Sequence, residues 1–214
     1  PEEAAPFTAS LFEDGRYADA AAVWRRYGTN AGPAREGAVA DGDFEGVALR
    51  PHYIRSAYMG LGEALAPRMI APFEWRFPQA AGSETRLSPP PWGGGGQALN
   101  VYSRGNQRYE MARQALVLGP GPHVLSMDAA AAPGTRLEGY SWTLECLPSR
   151  TSIPLGEAAA RDLGQSRTRQ SYAFGIPAHG CGAQWLRLIL HSGLHRNLDL
   201  WFDNVTVRGA AEAS

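Results

Sequence analysis

The feature that most narrows what this chain can become is a pair of cysteines set among alternating apolar runs in its last third. Cys146 closes the run Tyr140-Ser141-Trp142-Thr143-Leu144-Glu145, in which apolar and polar residues alternate. That period of two describes a strand with one buried face. Cys181 lies in a Gly-flanked turn, His179-Gly180-Cys181-Gly182, ahead of a second apolar run from Trp185 to Leu190. A third run, Leu198 to Val207, follows. Strand, cysteine, strand, strand, with Pro/Gly punctuation between, predicts an antiparallel β-sandwich stapled by a Cys146–Cys181 disulfide. The bridge closes a loop of 35 residues, for which chain-entropy estimates give roughly 3–4 kcal/mol. The alternative is two buried free thiols. A bridge implies an oxidising compartment, so the expected localisation is periplasmic or secreted.

Composition removes several classes of function. The 214 residues are 44% hydrophobic and 19% charged, with a net charge of −1. That suffices for a large core and offers no positive excess to hold a phosphate backbone, so nucleic acid is not an expected partner. Every basic residue other than His is Arg; there is no Lys. No apolar run approaches the ~18 residues that span a bilayer. Pro1 is not a start residue, so the chain is expected to be a mature or trimmed one, and export is read from its cysteines.

The first forty residues differ in texture. From Phe7 to Tyr27, apolar residues recur every three or four positions, the helical period, and Asp14-Gly15 divides the run into two short helices. Asp14 or Asp19 is expected to cap the second. Leu11, Gly15, Tyr17, Ala20 and Trp24 resemble half of a tetratricopeptide repeat. Thr29 to Asp43 reads as a linker. Strands are expected at Phe44–Leu49, Ala71–Phe77, Gln97–Arg104, Tyr109–Leu118, His123–Ala129, Ser141–Leu147, Ser171–Ile176, Trp185–His191 and Leu198–Val207, with a short one at Thr85–Ser88. Pro51–Pro67 reads as a helix or irregular loop. Ser149–Gln170 reads as a long loop with a helical turn at Glu157–Leu163. The expected fold is mostly β, an antiparallel sandwich or jelly roll with a short N-terminal helical arm. Its divisions are 1–40 (arm and linker), 41–209 (β module) and 210–214 (tail).

Several segments resemble a known family. Asp41-Gly42-Asp43-Phe44-Glu45-Gly46 is similar to the opening, and Leu200-Trp201-Phe202-Asp203-Asn204-Val205 to the closing strand, of jelly-roll carbohydrate-binding modules with the galactose-binding-domain-like fold. Leu118 to Ser126 is similar to a hairpin of those modules, with His123 where they carry Tyr. Pro72-Phe73-Glu74-Trp75-Arg76, Trp142 with Cys146, and Cys181 with Gln184 resemble a narrower group. These are the C-terminal modules of bacterial tetratricopeptide-containing proteins that accompany exopolysaccharide export or envelope systems. The resemblance implies a polysaccharide partner and a structural calcium ion tying the first strand to the last, with Glu45 and Asp203 at the matching positions. Asn204, where the family often has Asp, weakens that metal set.

A sugar site needs an aromatic face for the C–H side of a pyranose and fixed planar groups for its hydroxyls. Candidates are Asn100, Tyr102 and Arg104 on one strand, Arg113 and Gln114 on the next, and Trp185 and Arg187 on one side of a third. Trp92 in the Gly/Pro loop is a candidate lid. Trp75 and Trp142 read as core. Arg104, Arg113 and Arg187 suit carboxylate-bearing sugars or, equally, internal Asp and Glu. Enzyme signals are poor. His191 and His195 lack the glutamate of a zinc-protease helix and flank Gly193, and Gly139-Tyr140-Ser141-Trp142-Thr143 lacks the second glycine of a nucleophile elbow. No catalytic residue is assigned. The leading expectation is a non-catalytic module recognising an envelope or exported polysaccharide. The alternatives are a scaffolding module that docks a protein partner through its helical arm, and a polysaccharide-acting enzyme.

Overall fold

Among the described residues the period-two runs become nine antiparallel strands: β1 (Ser83–Ser88), β2 (Ala98–Ser103), β3 (Arg108–Leu116), β4 (Gly121–Ala131), β5 (Tyr140–Pro148), β6 (Ser152–Pro154), β7 (Thr168–Ile176), β8 (Cys181–His191) and β9 (Leu198–Gly209). This computed structural model describes residues 4–28, 39–47, 71–78, 81–104, 108–133, 135, 140–155, 163–191 and 198–210. The strands form a five-stranded sheet, β1-β2-β9-β4-β7, and a four-stranded sheet, β3-β8-β5-β6. From β2 onward the chain alternates between the two sheets, with only β5 and β6 consecutive in one layer, as a β-sandwich requires.

One face of each strand fills the space between the sheets. Leu99, Val101, Leu125, Met127, Leu200, Phe202, Val205 and Val207 come from the five-stranded sheet. Met111, Leu116, Tyr140, Trp142, Leu144, Leu186, Leu188 and Leu190 come from the other. Trp142 and Tyr140 meet Phe202 edge-on, at 5.7 and 5.0 Å between ring centroids, the arrangement the ring quadrupole favours. Trp75 and Trp142 are core residues, as the sequence implied.

A bulge between Glu110 and Ala112 changes the phase of β3. Beyond it Ala112, Gln114 and Leu116 face inward, and Arg113 and Ala115 face out. A one-residue slip exchanges the two faces of a strand.

The Cys146–Cys181 disulfide is present. It joins the end of β5 to the start of β8, adjacent strands of one sheet, so it ties two neighbours together rather than clamping the layers. Among the described residues no helix is long and apolar enough to cross a membrane.

The arm is two helices, α1 (Ala4–Glu13) and α2 (Tyr17–Tyr27). Gly15, at φ +76, ends α1: its N–H bonds the Phe12 carbonyl and the Arg16 N–H bonds that of Leu11, the paired closure that a left-handed residue permits. The expected aspartate cap of α2 is not formed. Arg16 occupies the cap position and makes no capping side-chain bond; its Nε instead donates to Asp19 Oδ2 at 2.9 Å in the first turn. The arm's apolar face (Ala5, Leu11, Phe12, Ala20, Trp24) packs with Ala71, Phe73, Ala115, Leu147 and Ala183 of the sandwich. Each large side chain buried there contributes ~1.5–3 kcal/mol.

Several expected elements differ. Phe44–Val47 is a bend rather than a strand, with Phe44 buried at φ +57; residues 48 and 49 lie outside the described residues. Ala71–Phe77 is a turn carrying one isolated bridge, Arg76 to Arg113. Its aromatics are still buried at Phe73 and Trp75, because alternation reports burial and not pairing. The expected linker ends in packed chain: Val39 joins the core, and the Gly42 carbonyl accepts from Val205 N–H at 2.9 Å. A Cβ on Gly42 would lie 2.0 Å from the Val205 carbonyl oxygen, so only glycine permits this approach. The loop expected from Ser149 contains β6 and gives way to β7 at Thr168. Pro51–Pro67 and most of the expected turn at 157–163 lie outside the described residues.

Candidate functional site

The sugar-site candidates divide between opposite outer faces of the sandwich. Asn100 and Tyr102 lie on β2 in the five-stranded sheet, and Arg113, Trp185 and Arg187 lie on β3 and β8 in the four-stranded sheet. They do not share one trough. Gln114 is on neither face: it is buried, with its Oε1 accepting from Ala40 N–H at 3.0 Å and its Nε2 donating to the Ala40 carbonyl at 2.8 Å. The β3 bulge sends it inward, where a planar amide can satisfy a backbone pair. Trp92 is half-buried at the turn whose Gly93 N–H bonds the Pro90 carbonyl. Gly93 to Gly96 all follow it with positive φ, a path that few other residues could take.

On the five-stranded face, Asn100 donates to the Asp199 carboxylate at 2.7 Å and to the Leu200 carbonyl at 3.2 Å. Arg104 donates to the Tyr102 hydroxyl and lies 5.2 Å from its ring centroid. Trp201 donates to Ser88 Oγ at 3.1 Å. These polar groups are largely occupied with one another.

The four-stranded face is more ordered. Register sets its outward side chains in transverse rows: Arg113–Arg187–Thr143–Pro154, beside Ala115–Trp185–Glu145–Ser152 on one side and Glu110–Ile189–Ser141 on the other. The bridge to Arg113 adds Arg76 to the end of the first row. Arg187 reaches both neighbouring rows, with Nε 2.5 Å from Glu110 Oε2 and Nη1 2.6 Å from Glu145 Oε2. Glu145 also meets Arg150 at 2.6 Å, and Glu110 meets Arg113 at 3.5 Å. Side-chain exposures are 32% for Arg187, 15% for Glu110 and 18% for Glu145. The array is therefore fixed but still reached by solvent. Internal carboxylates, not a ligand, take up the Arg187 fork.

The arm forms a wall along this array. It covers Ala115, Ala183 and Leu147, and its Phe12 ring lies 5.5 Å from that of Trp185. The guanidinium carbons of Arg113 and Arg76 lie 5.1 and 5.6 Å from the Trp185 ring centroid. Trp185 is half-buried and already surrounded, so it frames the array more than it offers a bare stacking face. Burial, then the neighbouring Arg113 charge, lowers the Arg76 pKa, while Glu74 and Glu13 act the other way.

From sequence, Glu110 and Glu145, with Glu74 and Asp128, are the strand carboxylates from which a glycoside-cleaving pair would have to come, and Arg76 carries no expected site role. Alternation along β3, β8 and β5 puts the two glutamates on the outward side. Their meeting at Arg187 needs the strand order β3-β8-β5, which no local pattern encodes.

The proposed calcium residues lie near a separate acidic group. Glu45 accepts from Gln97 N–H at 2.7 Å. Asp203 accepts from Asn204 N–H at 2.7 Å and pairs in register with Asp128. Burial pushes the Asp41 carboxyl up to about 6, against the Gly46 N–H bond, with Asp43 and Glu45 adding to the rise. Burial likewise raises Asp203 to about 6, with repulsion from Asp128 and Asp43. At Asp128 burial also pushes upward, but hydrogen bonds from Arg167 and Asn204 prevail and hold the carboxyl below its ordinary value. Among the described residues no three His, Cys, Asp or Glu side chains form a ready metal cage.

No protein-family model matches the chain, and no curated protein matches it. Solved structures do. The CBM22-1 xylan-binding domain of Paenibacillus barcinonensis Xyn10C is 13% identical, covering 64% of this chain and 85% of that one, with a TM-score of 0.48. A family 4 carbohydrate-binding module is 15% identical over 79% and 97%, TM-score 0.45. TmCBM61, solved with β-1,4-galactotriose, is 11% identical over 63% and 88%, TM-score 0.42.

Proposed function

We propose that the chain is a non-catalytic glycan-binding module whose site is the outer face of the four-stranded sheet. The observation that carries this is the Glu110–Arg187–Glu145 array beside Arg113. Planar hydrogen-bonding groups are locked by one another on a rigid sheet, next to an indole and along a helical wall. Sugar hydroxyls need such pre-oriented donors and acceptors, because groups ordered in advance cost little to fix on binding. An envelope or exported polysaccharide is the substrate class in this reading, and the disulfide favours a location outside the cytoplasm.

Affinity electrophoresis of the full chain against a panel of soluble polysaccharides tests the proposal. Retardation is expected with at least one, and Arg187→Lys, which keeps the charge but loses the fork, should weaken it at least tenfold. Tyr102→Ala reports on the other face: loss there instead would move the site. Reducing-sugar release should stay at background, and measurable release would favour the enzyme reading. A folded protein retarded by no polysaccharide overturns the proposal.

A scaffolding role has one observation in its favour. Phe7 and Tyr27 are the only large exposed hydrophobics among the described residues, and both are on the arm. The rest of the arm's apolar face is spent on the sandwich. Capture of a partner that is lost in Phe7→Ser/Tyr27→Ser would support this role. Calcium belongs to the same reading of the fold. Asp41 Oδ2 is buried without a partner, and Asp43 lies close enough to act on both Asp41 and Asp203, which suits a cation held by oxygen ligands. Melting in calcium against chelator, repeated with Glu45→Ala, tests it.

A further inference from the structure

The four-stranded face carries an arginine row in which Arg113 has the weakest carboxylate contact. Arg76, Arg113 and Arg187 occupy consecutive cross-strand positions, and like charges set directly opposite one another repel. Two carboxylates lie within the row's reach on this sheet, Glu110 and Glu145, and both are held closely by Arg187. Glu145 is shared again with Arg150. Arg113 keeps only a 3.5 Å contact to Glu110, and its Nε is buried with no partner. Its guanidinium and that of Arg76 both lie over the Trp185 ring. The arm and the 71–78 turn bring Glu13 and Glu74 within electrostatic reach of Arg76, which leaves Arg113 as the least compensated of the three. With guanidiniums 5.1 and 5.6 Å from one indole centroid, Arg113 and Arg76 can both offer N–H donors to one oxyanion, and Arg binds carboxylate or sulfate through paired N–H groups.

From this we infer that the glycan taken by this face is acidic, with an anionic substituent seated between Arg113 and Arg76 at the edge of Trp185. The inference rests on the glycan-binding reading above and adds the ligand's charge class to it. A carboxylate of a uronic acid and a sulfate ester share the required chemistry. Either would relieve the Arg76–Arg113 opposition while the Arg187 array hydrogen-bonds the neighbouring hydroxyls. An uncharged glycan would leave the opposition in place.

The test is calorimetric titration of the full chain with polygalacturonate, with the same polymer fully methyl-esterified, and with a sulfated galactan beside its desulfated form. Binding to at least one anionic polymer should exceed that to its neutral counterpart at least tenfold and fall as salt is raised. Arg113→Gln should abolish that difference, and Arg113→Lys should retain part of it. Melting of both variants verifies that they fold. Preference for polygalacturonate or for the sulfated polymer identifies the source of the charge. Equal binding of charged and neutral forms, or an acidic preference that survives in folded Arg113→Gln, overturns the inference and leaves the glycan reading standing. Failure of every polymer, neutral ones included, overturns both.

Discussion

At Arg187 the proposed binding site and the stability of the fold meet, so a single substitution there tests both. Replacing it with Met keeps most of the packing volume and removes the charge that holds Glu110 and Glu145. Those carboxylates, 15% and 18% exposed, would then face each other across β8 without a cation between them. Removing one member of a fully buried ionic group costs ~3–5 kcal/mol. Solvent reaches these groups, and Glu145 keeps Arg150, so the expected loss is nearer ~2 kcal/mol by the same reasoning with surface screening. For a chain of this length that lowers Tm by about 4–8 °C. The diagnostic is the rescue. Arg187→Met/Glu110→Gln/Glu145→Gln removes all three charges together and should recover most of the loss, since the cost lies in the stranded carboxylates and not in the missing bond. Calorimetry or denaturant melts on the two variants decide the matter. If Arg187→Met melts with the parent, or if the triple variant is worse than the single, the three side chains are not one coupled unit.

Three further outcomes follow from the geometry. Asp41 and Asp203, both raised to about 6, bind protons in the folded chain at pH values where the unfolded chain does not, so stability should rise as pH falls from about 7 toward 4. A rise of that size is worth ~3 kcal/mol for an isolated group, and screening of these half-exposed carboxyls cuts it to about 1 kcal/mol each. Asp128 works in the opposite sense, its contribution being lost only at still lower pH as it protonates. Melts across the range should show the rise, reduced by about half in Asp203→Asn; a flat or falling profile contradicts the burial of these groups. Cys146→Ala/Cys181→Ala, which opens the 35-residue loop, should lose about 4 kcal/mol in denaturant melts, and an unchanged midpoint would show that the bridge constrains little. Phe12→Ala should cost about 3 kcal/mol in the single unfolding transition of arm and sandwich. A separate early transition of the arm would mean that it is not part of the same cooperative unit.

The period-two runs and the Gly/Pro punctuation sufficed to place most strands and to separate the helical arm, because burial of alternate side chains is a local property. Gly15 after Asp14 was enough to divide the arm, because a left-handed residue ends a helix wherever it stands. Ala71–Phe77 shows the limit: its aromatics are buried as the pattern implied, yet only Arg76 pairs, since pairing depends on a neighbour the segment does not contain. Gln114 shows another, because one extra residue at the β3 bulge reversed its face. The disulfide partners could be read from their flanking strands, but that the bridge lies within one sheet could not.

The chain alone determined the fold class, the cysteine pair, the absence of a positive excess and the residue types available to the proposed site. Only the tertiary structure decided which of them meet. Strand order β3-β8-β5 set Arg187 between two glutamates 77 and 42 residues away from it and removed Asn100 and Tyr102 to the far side. It also laid the arm beside Trp185. Sheet order arises from contacts between segments distant in sequence, and the energy of those contacts belongs to the assembled core rather than to any stretch of chain.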